Sequence, residues 1–228
     1  MDPLILLDQA VAQERVPGKV AAKVRARMKY LLGAVRRVEK ASGLAYPPFY
    51  IEPVLPVAKG SSEYGQLGVL FARVVPTTAT GELAILVQFT AALVAYGTKG
   101  TIEAVAAHEF AHYVDLVRRL STKNVSSDER ETSLFGSTYA DPGRTVPPRI
   151  LFSDKALVAL ISRKFKDSLV DPSLNKRVGG DWIAKNLPMR WVDPAENVAR
   201  IGMEAVAAAR FDPGLLQKVA QIDERMKK

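Results

Sequence analysis

The chain has 228 residues and no cysteine, which excludes disulfide bonds, thiolate metal sites and cysteine nucleophiles. Hydrophobic residues make up 48% and charged residues 25% of the chain, a balance typical of a globular protein that buries a sizeable core. The formal charge of +8 favours acidic partners, and any metal ion must be held by nitrogen and oxygen ligands.

Residues 4 to 42 predict one or two helices, which Gly43 ends. This part of the chain is strongly basic, and its cationic residues are Lys19, Lys23, Arg25, Arg27, Lys29, Arg36, Arg37 and Lys40. They indicate either a surface for nucleic acid, acidic lipid or an acidic partner, or the solvated face of an amphipathic helix. The second interpretation is favoured because aromatic residues do not alternate with the basic ones. We therefore expect basic N-terminal helices over residues 1–45 and the main domain over residues 46–228.

The N-terminus carries no basic segment ahead of its first apolar run, so we expect no secretory signal. The longest apolar stretch, residues 83 to 97, is shorter than the roughly 20 residues that span a bilayer. These features predict a cytoplasmic protein that does not associate with membranes.

Three short apolar runs predict strands over residues 50–55, 67–75 and 83–89. A long helix is expected from Gly100 to about Leu120, with Thr101 as its N-cap. Residues 121–149 are polar and predict a loop, and 154–168 predict a basic helix. A further helix is expected from Asp193 to about Arg210, and Asp212-Pro213 introduces a short last one. The resulting fold class is α+β.

Within the predicted long helix lies the run His108-Glu109-Phe110-Ala111-His112. Residues four apart lie one helical turn apart on one face, so both imidazoles can bind one metal ion. Zinc lowers the pKa of a bound water from 15.7 to about 7, and Glu109 would accept its proton as general base. The alternative is a pair of core histidines. These are the only two histidines of the chain, which favours the zinc site.

Asp115 lies on the same helical face and is a candidate partner for the second ring N–H of a ligand histidine, or a surface aspartate. A third zinc ligand must be a carboxylate. Glu196 is preferred because the small residues around it would let its helix approach the motif helix closely. Asp193 and Glu196 also fit a capping box, which needs no metal. The alternative ligands are Glu204 and the acidic cluster of Asp128, Glu129 and Glu131.

The motif of His108 to His112, followed by Ala195-Glu196-x-x-Ala199, resembles the gluzincin pattern of zinc metallopeptidases. It is similar to minigluzincin and anthrax-lethal-factor-like peptidase domains over residues 83–114 and 193–206. The resemblance implies a zincin-like domain with a small mixed sheet and a C-terminal helical part. It also implies that the strand at residues 83–89 runs along the cleft and pairs with substrate, although its apolar character favours a buried central strand.

Two departures from that family pattern affect the expected site. The interval between His112 and Glu196 is long, which predicts a helical insertion at about residues 150–185. The family's tyrosine before the third ligand is replaced by Met189, Arg190 and Trp191. Tyr139 and Arg190 are therefore the candidates for stabilising an oxyanion.

The expected function is a zinc-dependent metallopeptidase that hydrolyses peptide bonds in peptide or protein substrates. The alternative is a nucleic-acid-associated or regulatory protein that uses a zincin fold as a basic binding module. A purely structural zinc ion is less favoured, because three protein ligands leave one coordination position open.

Overall fold

Two N-terminal helices, α1 (Ile5–Ala12) and α2 (Gly18–Ser42), begin the fold. The computed structural model describes residues 2–58, 68–78, 82–121, 137–140, 145–165, 169–192 and 199–226. Helix α2 ends at Gly43, as predicted, because that glycine adopts φ of +69° and its N–H donates to the carbonyl of Glu39. One face of α2 is apolar at helical spacing and buried, through Ala21, Val24, Met28, Leu31, Ala34, Val35 and Val38.

The basic residues of α2 serve two different purposes. Arg27 donates to the backbone carbonyls of Val94 and Gly97, and Arg37 pairs with Glu103 and Asp154. These two arginines therefore hold α2 against later parts of the chain. The remaining cations lie on or near the exposed face of an amphipathic helix, in agreement with the favoured interpretation.

A three-stranded sheet follows, with the order β1 (Phe49–Glu52), β4 (Ala84–Thr90), β3 (Ala72–Thr77). Strand β1 is parallel to β4, and β3 is antiparallel to it. The small mixed sheet of the sequence prediction is thus confirmed, and β4 is its central strand. The expectation that this strand pairs with substrate is wrong, because both of its edges already bond to neighbours. The two edge strands of the sheet are β1 and β3, one on each side of β4.

A further strand, β2 (Leu55–Ala58), leaves this sheet and pairs in parallel with β6 (Met189–Val192). The single strand predicted over residues 50–55 is therefore two strands, β1 and β2. They belong to different sheets.

Helices α3 (Ala91–Tyr96) and α4 (Lys99–Ser121) come directly after β4. The hydroxyl of Thr98 accepts from the backbone N–H of Thr101 at 3.1 Å, which is the bond of an N-cap. Helix α4 therefore begins before Thr101, which instead donates its hydroxyl proton to Asp171. The predicted cap at Thr101 is wrong by three positions because Thr98 is equally suited to the role.

The segment predicted as a helical insertion contains α5 (Pro148–Leu151), α6 (Lys155–Lys164), α7 (Pro172–Val178) and a π-helical turn (Gly179–Ile183). Asp154 and Asp171 cap α6 and α7 through their side chains. Apolar residues of these helices belong to the same buried core as α2 and the three-stranded sheet: Leu157, Ile161, Leu174, Val178 and Trp182. The boundary predicted at residue 45 lies just after the end of α2. Buried residues before and after this boundary belong to the same hydrophobic core.

The C-terminal part departs most from the prediction. Strand β7 (Ala199–Gly202) pairs antiparallel with β5 (Ser137–Ala140), and Met203–Ala208 forms a helix, α8. The predicted helix from Asp193 to about Arg210 is thus wrong over β7, where strand pairing overrides the helix propensity of the sequence. Strand β5 also interrupts the predicted loop. The last helix, α9 (Pro213–Met226), is capped by Asp212 as expected.

The α+β class is confirmed by these helices and small sheets. No helix in the part of the chain that the structure describes is both long enough and apolar enough to cross a bilayer.

Candidate metal centre

Helix α4 brings the two histidines of the chain together. Its apolar residues are buried around the motif, and the four-residue spacing puts His108 and His112 on neighbouring turns of one face. Their Nε2 atoms are 3.0 Å apart, and the ring planes are nearly perpendicular at 88°. The pairing predicted from the sequence is therefore present in the fold.

The separation of the two nitrogen atoms fits a shared metal ion. Two tetrahedral ligands at the usual Zn–N distance of 2.0–2.1 Å would be about 3.3 Å apart, a few tenths of an ångström more than the observed distance. Burial lowers the pKa of His108 to about 3, and the neighbouring His112 contributes to the same shift. His108 is therefore neutral at physiological pH, which is the state that binds a metal.

A phenylalanine that the sequence analysis did not single out covers one of the histidines. The ring of Phe165 stacks on the ring of His108, with centroids 3.8 Å apart and planes 12° apart. Phe165 directly follows α6, so the supposed insertion supplies one wall of the centre. Nothing in the local pattern of residues 154–168 indicates this contact.

Glu109 is buried without a compensating charge. Only 6% of its surface is exposed, and burial raises the pKa of its carboxyl group to about 8. Within the described ranges, no side chain or backbone N–H donates a hydrogen bond to this carboxyl group. A buried carboxyl group that lacks partners is costly and needs an explanation beyond packing.

Tyr46 is a second neighbour of the motif that the sequence analysis missed. Its hydroxyl donates to the backbone carbonyl of Ala106 at 2.8 Å, and its ring stacks on Phe110 with centroids 5.3 Å apart. Burial raises the pKa of Tyr46 well above its ordinary value, and the negative charge of Glu109 adds to that rise. Tyr46 therefore lies against the motif helix, close to the general-base candidate.

Asp115 occupies a different environment from the one predicted. It is buried, and its carboxylate oxygens accept hydrogen bonds from Arg118 and Arg119, which follow it by three and four residues. Arg118 also bonds to Asp223 of α9. No hydrogen bond in the described coordinates joins Asp115 to either histidine ring. Both arginines reach the carboxylate of Asp115 along α4, and Arg118 also connects this helix to α9.

The third ligand and the oxyanion stabiliser are only partly placed by the fold. Glu196 lies outside the described residues, as do the alternatives Asp128, Glu129 and Glu131. The other alternative, Glu204, is exposed in the first turn of α8. Among the residues described here, no three His, Asp or Glu side chains are grouped closely enough to hold a metal ion. The described residues therefore offer two candidate nitrogen ligands.

The two oxyanion candidates lie on different sheets. Tyr139 is in β5, where it stands opposite Arg200 of β7. Arg190 is in β6, opposite Pro56. Burial raises the pKa of the nearby Tyr50, and the positive charge of Arg190 partly opposes that rise.

Comparisons with known protein families, with curated proteins and with solved structures find no match to this chain. The resemblance to gluzincins therefore rests on the motif residues and on their arrangement in α4.

Proposed function

We propose that this protein is a zinc metallopeptidase with a zincin-like domain. The observation that carries the proposal is a pair of imidazoles with Nε2 atoms 3.0 Å apart, next in sequence to a buried carboxyl group that no described residue hydrogen-bonds. A core histidine pair would explain the first feature alone. It would not explain why the fold buries the carboxyl group of Glu109, which destabilises the folded state unless a ligand or function requires it.

His108 and His112 would hold the metal ion through Nε2, and Glu196 is proposed as the third ligand. A bound zinc ion would supply the Lewis acidity that makes water nucleophilic at neutral pH. Glu109 would accept the proton of that water and pass it to the leaving amine. A cation held by the two histidines would lower the pKa of Glu109 from about 8, which converts a neutral acid into a base.

The sheet offers one way to bind an extended peptide. Strand β3 lies at the edge of the three-stranded sheet, and a peptide backbone can add to such an edge by hydrogen bonding. Side chains of β3 are mostly half-buried, so that the strand remains partly accessible. We place substrate there rather than on β4, and we propose peptides or proteins as substrates of a cytoplasmic enzyme.

The test compares Glu109→Gln with the wild-type protein. We expect the variant to retain about one zinc per chain, because the substitution removes no ligand. Cleavage of an unfolded protein substrate should fall by at least about 100-fold, the lower end of what a general base contributes. Glu224→Gln on the exposed face of α9 is the matched control and should keep full activity. Equal cleavage by the Glu109 variant would refute the mechanism.

The third ligand is tested separately by zinc stoichiometry. Glu196→Ala should lose most of the bound zinc, whereas Glu204→Ala should retain it. The reverse result would transfer the ligand role to α8. Retention by both variants would contradict a carboxylate from this part of the chain.

A further inference from the structure

A second concave site lies away from the histidines, where the end of α2, helix α5 and helix α9 meet. The cavity has a volume of about 390 Å³. This falls within the range of small-molecule sites, roughly 300–1,000 Å³. It shares no lining residue with the proposed metal centre.

The lining of this cavity carries charge of one sign. Lys40, Arg149, Lys218 and Arg225 all line it, and no carboxylate lines it among the described residues. None of the four takes part in the ion pairs found among the described residues. Other arginines of the fold, such as Arg37 and Arg118, are paired with carboxylates.

Two carboxylates close to the lining residues are already engaged in ion pairs elsewhere. Asp154, directly after the lining residue Ser153, pairs with Arg37, and Asp223 of α9 pairs with Arg118. Lys40 and Arg225 stand in the last turns of their helices, where the helix dipole favours cations. Arg149 likewise stands in the last turn of the short helix α5, but a preference that acts on each helix separately does not explain why four cations meet around one cavity.

We propose that this cavity binds a compact anion that carries two or more phosphate groups. Arginine and lysine together provide several charge-assisted hydrogen bonds to phosphate oxygens. The concave shape favours a compact ligand over an extended strand. The one aromatic lining residue, Phe152, is buried and offers no exposed face for stacking a nucleic-acid base.

Inorganic pyrophosphate is the probe, and calorimetric titration of the full-length protein is the measurement. We expect wild-type protein to bind it and Arg149→Gln/Arg225→Gln to bind at least about tenfold more weakly, since each charged hydrogen bond that is lost weakens binding severalfold or more. The control is Arg163→Gln/Lys176→Gln, which removes the same charge from exposed positions on α6 and α7 outside the cavity. It should change the affinity by less than about twofold.

Thermal melts of both double variants establish that they are folded before the titrations are compared. Any zinc chelated by pyrophosphate would give a signal that both variants retain, so the metal centre cannot mimic the expected difference. Absence of binding to the wild-type protein, or equal losses in the two variants, would overturn the proposal. The proposal would also be overturned if the protein bound a DNA duplex more tightly than pyrophosphate and pyrophosphate displaced that duplex. This result would indicate a nucleic-acid surface.

Discussion

At the scale of single residues, burial sets the protonation of the candidate site. His108 is kept neutral and Glu109 is kept protonated at neutral pH in the absence of a cation, through pKa values of about 3 and about 8. Desolvation is the largest cause of both shifts. Both groups are therefore uncharged at neutral pH, and binding of a cation beside them would release the proton of Glu109.

The raised pKa of Glu109 predicts a specific dependence of stability on pH. The folded state holds the proton more tightly than the unfolded state, so the free energy of unfolding falls as pH rises from about 4.5 to about 8. In metal-free protein, Glu109→Gln should remove this fall. At pH 8 the variant should be more stable than the wild type by at least about 1 kcal/mol. Urea denaturation at pH 5 and pH 8 measures the difference, and parallel pH profiles would contradict it.

Phe165 controls the environment of His108, and its removal should be visible in the titration of that ring. Phe165→Ala admits water to the stacked face, so we expect the pKa of His108 to rise from about 3 towards 6.5. Proton NMR of metal-free protein is well suited to this measurement because only two histidine signals are present. Phe211→Ala, at a half-buried position just before α9, is the control. An unchanged titration would show that the stacking does not desolvate the ring.

The motif was predictable at this scale, whereas its neighbours were not. The spacing of His108 and His112 determines their geometry once the segment is helical. The partners of Asp115 depended on a competition between the ring N–H groups and two arginines on the same helix. The contacts of Tyr46 and Phe165 depend on tertiary packing between distant segments, and no local pattern records such contacts.

At the scale of elements, the junction between α3 and α4 determines where the motif helix begins. Gly97 lies in this junction, where its N–H donates to the carbonyl of Leu93 and its own carbonyl accepts from Arg27. A Cβ atom at Gly97 would come within 2.7 Å of the Leu93 carbonyl oxygen. The junction therefore tolerates only glycine without a shift of the backbone.

Two glycine substitutions test this account as a matched pair. Gly97→Ala should lower the free energy of unfolding by about 1–3 kcal/mol through steric overlap. Gly33→Ala, in the exposed interior of α2 where a Cβ meets no atom within 4 Å, should raise it by about 0.5–1 kcal/mol. Chemical denaturation measures both. A neutral effect at Gly97 would mean that α3 and α4 can shift relative to each other.

Helix ends at a capping residue or a glycine were predicted to within a few residues, whereas the strands set by long-range pairing were not. Gly43 and Asp212 marked real helix ends because their effects are local. Strand β7 was predicted as helix since Ala199 to Gly202 carries no period-two pattern. Its state depends on β5, some sixty residues earlier, and a single segment does not encode such a partner.

At the scale of the whole molecule, the N-terminal helices and the motif domain share one core. Buried side chains of α2 belong to the same cluster as Ile51, Phe89 and Phe110. Arg27 and Arg37 add polar contacts to α3 and α4. Length and composition predicted one sizeable core, but they could not show that a strongly basic helix forms part of it.

This shared core predicts that residues 46–228 do not fold without the N-terminal helices. Removal of residues 1–45 would expose the apolar surface of α4 and the sheet that α2 covers, and would leave Glu103 without its partner Arg37. We expect the shortened chain to show no cooperative thermal transition and to bind zinc weakly. The control is Lys19→Gln/Lys29→Gln in the full-length chain, which should melt like the wild type. Circular dichroism during heating measures both. A cooperative, zinc-binding fragment would instead establish residues 1–45 as a detachable region, and a peptidase assay of that fragment against the full-length chain would then test whether the region is inhibitory.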